Sequence, residues 1–395
     1  MAKTPSSDLD VTLESSSLAG RHFDLIISGS IAAVESVRFI RAMRRLGATV
    51  TPWLSDGAKE FITPKAVAWA AAKEPRDGFC GHLTHLAEND ALIIAPATAN
   101  ILGKIANGIL DSAEAALAQS YLGLKRPIYI MPTMHDSLFA APAVKANIAK
   151  LKEWAEFLPA REEEGKQKFP TPEILAYEIA HRFNKQALGN KAKRILITMG
   201  TTKGFIDPVR YISNYSSGGL GSAISEELYC RGHSTCITLG PCPIKPRVYS
   251  SLDSVETNDE MTKSAQQFAA KGIDAAVFAA SVLDYVPQHA AAEKMRSGSN
   301  NVTVTLVPTE KIISKITPKM PLKVGFKLET SMDEADATKI AADYMSRYQL
   351  SMMVLNRQSD LGPDKHLGYL VTKDHNMRQL AGKRQIAAAI ADHLS

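Results

Sequence analysis

Three apolar runs in the first half of the chain end in residues suited to holding an anion or a flat ring against the backbone. "DLIISGSIA", from Asp24, turns at Gly29 and Ser30; "ATVTPWLS" ends at Ser55; "ALIIAPATAN" ends at Thr98, Ala99 and Asn100. Free backbone N–H groups at a strand-to-helix turn, with the Ser30 hydroxyl beside them, suit a phosphate at the positive helix end. One such turn says little, because many α/β proteins have one. Three at successive strand ends point to a cofactor. "GHLTH" places His82 and His85 three residues apart on one helical face. A histidine near neutral pH can move a proton, although His82 also reads as a surface residue at a helix start. No third ligand accompanies the pair, which argues against zinc.

These turns need a sheet to carry them. "DLIISGS" reads as a buried strand, and Ala33, Val37, Ile40, Met43 and Leu46 follow at helical spacing, with Arg38, Arg41 and Arg45 on another face. Gly47 closes that helix and "ATVTPWLS" is the next strand, giving a βαβ unit. "ALIIAPA" and "PIYIMPT" add strands, so a parallel sheet sandwiched by helices is expected. Near residue 190 the cycle restarts. "QALGNKAK" reads as a linker, "RILITMGTT" as strand and turn, and "SSGGLGSAISEELYCRG" as a glycine-led helix. "HSTCITLG", "DAAVFAASVLDY" and "LSMMVLNR" read as later strands, whose C-terminal ends are where open parallel sheets bind ligands. The expected fold class is α/β, two tandem Rossmann-like domains with mainly parallel sheets. Residues 1–20 are expected as a disordered tail, 21–188 as the first domain and 189–395 as the second.

Composition bounds the function. A chain of 395 residues exceeds one ordinary core, and 45% apolar with 22% charged residues is a globular balance. A net charge of +5, with "RAMRR" as the longest basic cluster, argues against a nucleic-acid partner. No apolar run reaches the length of a membrane span, and the N-terminus lacks the apolar core of a signal peptide. Cys80, Cys230, Cys236 and Cys242 lack CxxC spacing and are expected as reduced thiols of a cytoplasmic protein.

"SGSIAAVESVRFIRAMRRLGATVTPWLSDGAKEFITP", "HLTHLAENDALIIAPATANILGKIANGILD" and "PTMHDSLF" together resemble the flavin-dependent cysteine decarboxylases. That resemblance implies a flavodoxin-like domain in which Gly29, Ser30, Ile31, Ser55, Thr98, Ala99 and Asn100 hold FMN. It makes His82 the catalytic histidine. His135 stands where the family has an asparagine that grips the substrate carboxylate. The family members that make phosphopantetheine carry a flap cysteine that protonates the enethiol intermediate, whereas "LPAREEEGKQKFPTPEIL" (158–175) contains no cysteine.

"ITMGTTKGFIDPVRYISNYSSGGLG", "AASVLDYVPQHAAAEKM", "VPTEKI", "VGFKLET" and "VLNR", in that order, resemble phosphopantothenate–cysteine ligase. From about residue 22 the whole chain is similar to the bifunctional decarboxylase/ligase family of coenzyme A synthesis. By that resemblance Asn214 holds an acyl-nucleotide intermediate, Lys294 neutralises the α-phosphate and Arg210 meets the substrate phosphate. Asp284, Phe326 and Lys339 are the corresponding nucleotide residues, with Phe326 at the base. Asn214 also reads as a turn cap, and Phe326 as core. Gly204 replaces an acidic residue, Gly219 a lysine, and Lys311 an aspartate of the family pattern. The implied substrates are 4'-phosphopantothenate, cysteine and CTP or ATP with Mg2+. The implied assembly is a homo-oligomer, with trimeric flavin domains and dimeric ligase domains. A ligase alone, a decarboxylase of another cysteine-bearing substrate, and a non-catalytic flavoprotein subunit remain as alternatives.

Overall fold

The computed structural model describes residues 7–79, 85–163, 166–296, 298, 301–316, 320, 322–330, 334–362, 366–374 and 376–395. The chain divides into two compact units, Met1–Phe183 and Asn184–Ser395. Among the described residues no helix is long and apolar enough to cross a membrane.

The first unit carries strands β1 (His22–Ile27), β2 (Thr49–Leu54), β3 (Ala91–Ala97), β4 (Ile128–Pro132) and β5 (Glu156–Phe157). They form one parallel sheet in the order β2-β1-β3-β4-β5. Between them run α1 (Ser36–Arg45), α2 (Asp56–Lys59), α3 (Pro64–Ala71), α4 (Ala99–Ala106), α5 (Ala113–Gly123), α6 (Asp136–Phe139) and α7 (Pro142–Leu151). Helices cover both faces, so β1 and β3 are apolar on both sides, as parallel strands must be. Each fully buried isoleucine of that core contributes about 1.5–3 kcal/mol. Inside the core the Asp24 carboxylate accepts from Trp53 Nε1 at 2.9 Å and Tyr121 Oη at 2.7 Å. The order reverses at β1 and β3, and open sheets bind ligands beyond the strand ends at such a switch point.

Two expectations about boundaries do not hold. Within the 1–20 segment, the described residues 7–20 are not a loose tail. Glu14 and Ser15 donate backbone N–H groups to the Arg45 carbonyl, Leu18 donates to that of Leu46, and the Leu18 side chain is fully buried. Carbonyls left over at the end of α1 are thereby satisfied. The "QAL" of the expected linker is helical, because nothing interrupts the helical run before Gly189. A hairpin, β6 (Arg161–Glu163) with β7 (Lys166–Lys168), precedes α8 (Pro172–Leu188), and the division between units falls inside that helix.

The second unit holds β8 (Arg194–Met199), the hairpin β9 (Lys203–Phe205) and β10 (Tyr211–Ser213), α9 (Gly219–Cys230), β11 (Ser234–Leu239), β12 (Ser251–Ser254), α10 (Asn258–Ala270) and β13 (Ala275–Phe278). There follow β14 (Tyr285–Pro287), β15 (Leu306–Pro308), α11 (Ile312–Lys315), β16 (Leu322–Glu329), α12 (Glu334–Tyr348), β17 (Met352–Leu361), β18 (His366–Thr372), β19 (Met377–Ala381) and α13 (Lys383–Leu394). Eight strands pair in the order β12-β11-β8-β13-β16-β17-β18-β19, parallel up to β17 and antiparallel after it. One face packs on α9 and α13, the other on α10, α11 and α12. Here the order reverses between β8 and β13.

Candidate functional site

At the first switch point the turns after β1 and β3 are latched together. Ser28 Oγ donates to the Pro96 carbonyl at 2.7 Å and accepts the Thr98 N–H at 3.0 Å. Gly29 is required by a neighbour in the chain itself: an added Cβ would lie 2.7 Å from the Gly57 carbonyl carbon. Ser55 caps α2 by accepting the Ala58 N–H. Ser30, by contrast, has a buried hydroxyl with no hydrogen-bond partner, and Thr98 heads α4 without its side chain capping the helix. Ile31 is largely exposed, and Ala99 and Asn100 open α4 beside Thr98. An orphaned hydroxyl, an uncapped helix start and an exposed apolar side chain fit a phosphorylated, planar cofactor such as a flavin nucleotide.

His82 lies outside the described residues. His85, three residues on, sits edge-on to Phe79, and its buried Nδ1 has no hydrogen-bond partner among the described residues. His135 caps α6: its Nδ1 accepts the Ser137 N–H at 3.3 Å and lies 2.9 Å from Ser137 Oγ. That bond leaves Nε2 as the N–H of the neutral ring, a donor where the family's asparagine offers an amide. Within 158–175, the segment expected to correspond to the family's flap, β6 pairs antiparallel with β7.

At the second switch point Asn214, immediately after β10, donates through Nδ2 to the carbonyls of Val282 at 3.1 Å and Ser281 at 3.4 Å. Both belong to the loop after β13. Thr202 in the loop after β8 accepts the Leu283 N–H through Oγ1 at 3.0 Å, and Ser213 Oγ donates to the Thr202 carbonyl at 2.8 Å. The hairpin and both switch-point loops therefore form one hydrogen-bonded block.

Lys294 lies on the long excursion between β14 and β15, exposed and without an ion pair among the described residues. This excursion returns to the β9–β10 turn, where Ala291 N–H donates to the Ile206 carbonyl and Met295 N–H to Asp207. Arg210 Nη1 is tied to the protein, 2.5 Å from Asp207 and donating to the Met295 carbonyl at 3.3 Å, while the side chain stays partly exposed. Burial alone would raise the Asp207 pKa. Three backbone N–H groups, from Val209, Arg210 and Met295, and the guanidinium outweigh it and hold the carboxyl well below the usual range.

The nucleotide residues are dispersed. Asp284 is ion-paired with Lys311, the residue that replaces the family's aspartate. Phe326 packs into the core beneath α9 and α13, whereas Lys339 is exposed on α12, which covers the opposite face. The Lys383 amine lies 3.0 Å from where a Cβ at Gly219 would stand. Asp207, Ser28 and Lys383 are the residues that pattern reading missed. Only the "ID" of "GFIDPVR" carries a signal for any of them.

Comparison with known proteins agrees with this two-part plan. Residues 11–184 match the Flavoprotein family, and residues 190–395 the DNA/pantothenate metabolism flavoprotein C-terminal domain. The Coenzyme A biosynthesis bifunctional protein CoaBC of Thermococcus kodakarensis is 34% identical over 393 residues, covering 96% of each chain. A Cysteine/Cysteine sulfinic acid decarboxylase of an unknown prokaryotic organism is 33% identical over 341 residues, 80% of this chain and 92% of that one. Among solved structures, the C-terminal domain of Coenzyme A biosynthesis bifunctional protein CoaBC is 26% identical, with a TM-score of 0.43 over 51% of this chain and 93% of that one. A flavoprotein domain followed by a pantothenate-metabolism domain, matched end to end by such a relative, means that the chain belongs to the coenzyme A biosynthesis bifunctional protein family.

Proposed function

We propose that the second unit joins cysteine to 4'-phosphopantothenate and that the first decarboxylates the product to 4'-phosphopantetheine. The observation that carries the reading is the Asn214 clasp on Ser281 and Val282 at the switch point, with the Lys294 segment anchored on the same hairpin. In the ligation, a carboxylate oxygen attacks the α-phosphorus of CTP or ATP and pyrophosphate leaves. The cysteine amine then attacks the acyl carbon, sheds a proton, and nucleoside monophosphate leaves. Negative charge crowds both steps, so a fixed amide and a mobile ammonium are the groups required. Asn214 orients the acyl-nucleotide and Lys294 offsets charge on the α-phosphate, with Mg2+ arriving on the nucleotide.

In the first unit Gly29, Ser30, Ile31, Ser55, Thr98, Ala99 and Asn100 cradle FMN. A bound flavin would supply reversible two-electron redox chemistry at the cysteinyl thiol, the chemistry that makes its carboxylate labile. His82 moves the proton, and the His135 Nε2–H holds the carboxylate. Pyrophosphate release that needs phosphopantothenate, cysteine and a nucleoside triphosphate together tests the ligase half. Comparing CTP with ATP fixes the base preference, and light scattering tests the trimer-and-dimer assembly.

Three observations favour a second reading for the first unit. His135 replaces an amide, the β6–β7 hairpin has no cysteine, and a relative of similar identity is a cysteine and cysteine sulfinic acid decarboxylase. Release of CO2 from free cysteine, without phosphopantothenate, would select that reading.

A further inference from the structure

Asp207 is fully buried in the turn between β9 and β10, and its carboxylate is saturated. Oδ1 accepts the N–H groups of Val209 and Arg210, each at 2.7 Å. Oδ2 accepts Arg210 Nη1 at 2.5 Å and the Met295 N–H at 3.2 Å. All four lone-pair sites of an ionised carboxylate are thus used, and every partner is a donor. One of the four contacts reaches across 88 residues to the residue after Lys294, and Arg210 Nη1, which makes another, itself donates to that residue's carbonyl.

That reach matters because the excursion bearing Lys294 has little burial of its own: residues 291–294 and 296 are exposed. Hydrogen bonds, not packing, hold it. We propose that Asp207 is the positioning residue for Lys294: directly through the Met295 N–H and, by way of Arg210, through the Met295 carbonyl, it fixes the backbone beside Lys294 and sets where the ammonium meets the transferring phosphate. The inference rests on the ligase reading given above. It also explains why an acid is needed here. An amide of the same shape would turn an NH2 group toward donors and leave the excursion untied.

Steady-state ligation by the full chain tests it, with Asp207→Asn, Lys294→Gln and the double variant compared. Asp207→Asn should lower kcat about 100-fold, the scale set by small misplacement of a reacting group, with the nucleotide KM moved less than about threefold. On the Lys294→Gln background the same change should add less than about threefold, because the two act as a unit. Arg210→Gln keeps the Asp207 backbone bonds and severs the tie to the Met295 carbonyl. It should cost roughly tenfold and vanish on the same background. It serves as the test if Asp207→Asn fails to fold, which circular dichroism and retained flavin absorbance report.

Asp207→Asn at wild-type rate, or losses that multiply in the double variant, would overturn the positioning role and leave the ligase reading standing. A fully active Lys294→Gln would remove the residue being positioned, and the proposal with it. No ligation by the wild-type chain would mean that the ligase reading itself has failed.

Discussion

The side-chain amide of Asn214 donates to the carbonyl of Val282 over 3.1 Å, tying the end of the β9–β10 hairpin to the loop that leaves β13. The bond spends the amide hydrogens on the protein and leaves Oδ1 for a ligand. An aspartate there would present an oxygen to two carbonyls. Asn214→Asp should therefore open the clasp and lower ligation about 100-fold while FMN content stays unchanged. A flavin-loaded variant ligating at the wild-type rate would contradict that.

Gly29 faces the Gly57 backbone, which cannot yield as a flexible side chain would. Gly29→Ala should cost about 1–3 kcal/mol by overpacking and reduce bound flavin in the same protein. Urea unfolding followed in parallel with flavin absorbance measures both. Unchanged stability would mean that the approach to Gly57 is not the reason for glycine at this position.

Asp207 links stability to pH with a definite sign. Its folded pKa lies below the unfolded value of about 3.9, so the stability it adds is present above that value and drains as pH falls below it. The stability gap between wild type and Asp207→Asn should accordingly narrow as pH drops through about 4. A gap that stays constant in acid would show that the carboxylate charge contributes nothing.

Lys383 stands beside where a side chain at Gly219 would begin, at the start of α9. If that amine meets nucleotide phosphate, Lys383→Ala should raise the nucleotide KM about tenfold, the worth of one charged hydrogen bond. Adding Gly219→Lys on that background should recover most of the loss. Failure of the second change to recover anything would separate Lys383 from the nucleotide.

The repeated βαβ frame and its strand ends were legible because parallel strands are short apolar runs that stop at small or hydroxyl residues. "ALIIAPA" and "RILITMG" became β3 and β8 for that reason. Ala33, Ile40, Met43 and Leu46 are buried as the helical spacing expects, Val37 is only half-buried, and Ile31–Glu35 forms a separate 3-10 turn before α1. Motif reading was weaker inside the sites. Arg210 reads as a phosphate ligand, and no motif announces that its Nη1 is also tied to Asp207. Lys311 reads as a lost aspartate, and its pairing with Asp284, 27 residues away, is not announced by the motif. Ser28 and Pro96 are 68 residues apart, and no local pattern announces such a latch. These contacts depend on the tertiary approach of strand ends, which periodicity does not encode.

The most direct test of the bifunctional reading is the mass of what the protein makes. The purified chain would be incubated with phosphopantothenate, cysteine, CTP and magnesium, beside Lys294→Gln and His82→Asn. Wild type should yield phosphopantetheine, His82→Asn should stop at phosphopantothenoylcysteine, and Lys294→Gln should yield no more than a trace of either. Absence of both products from the wild-type chain, with ATP as well as CTP, would contradict the account.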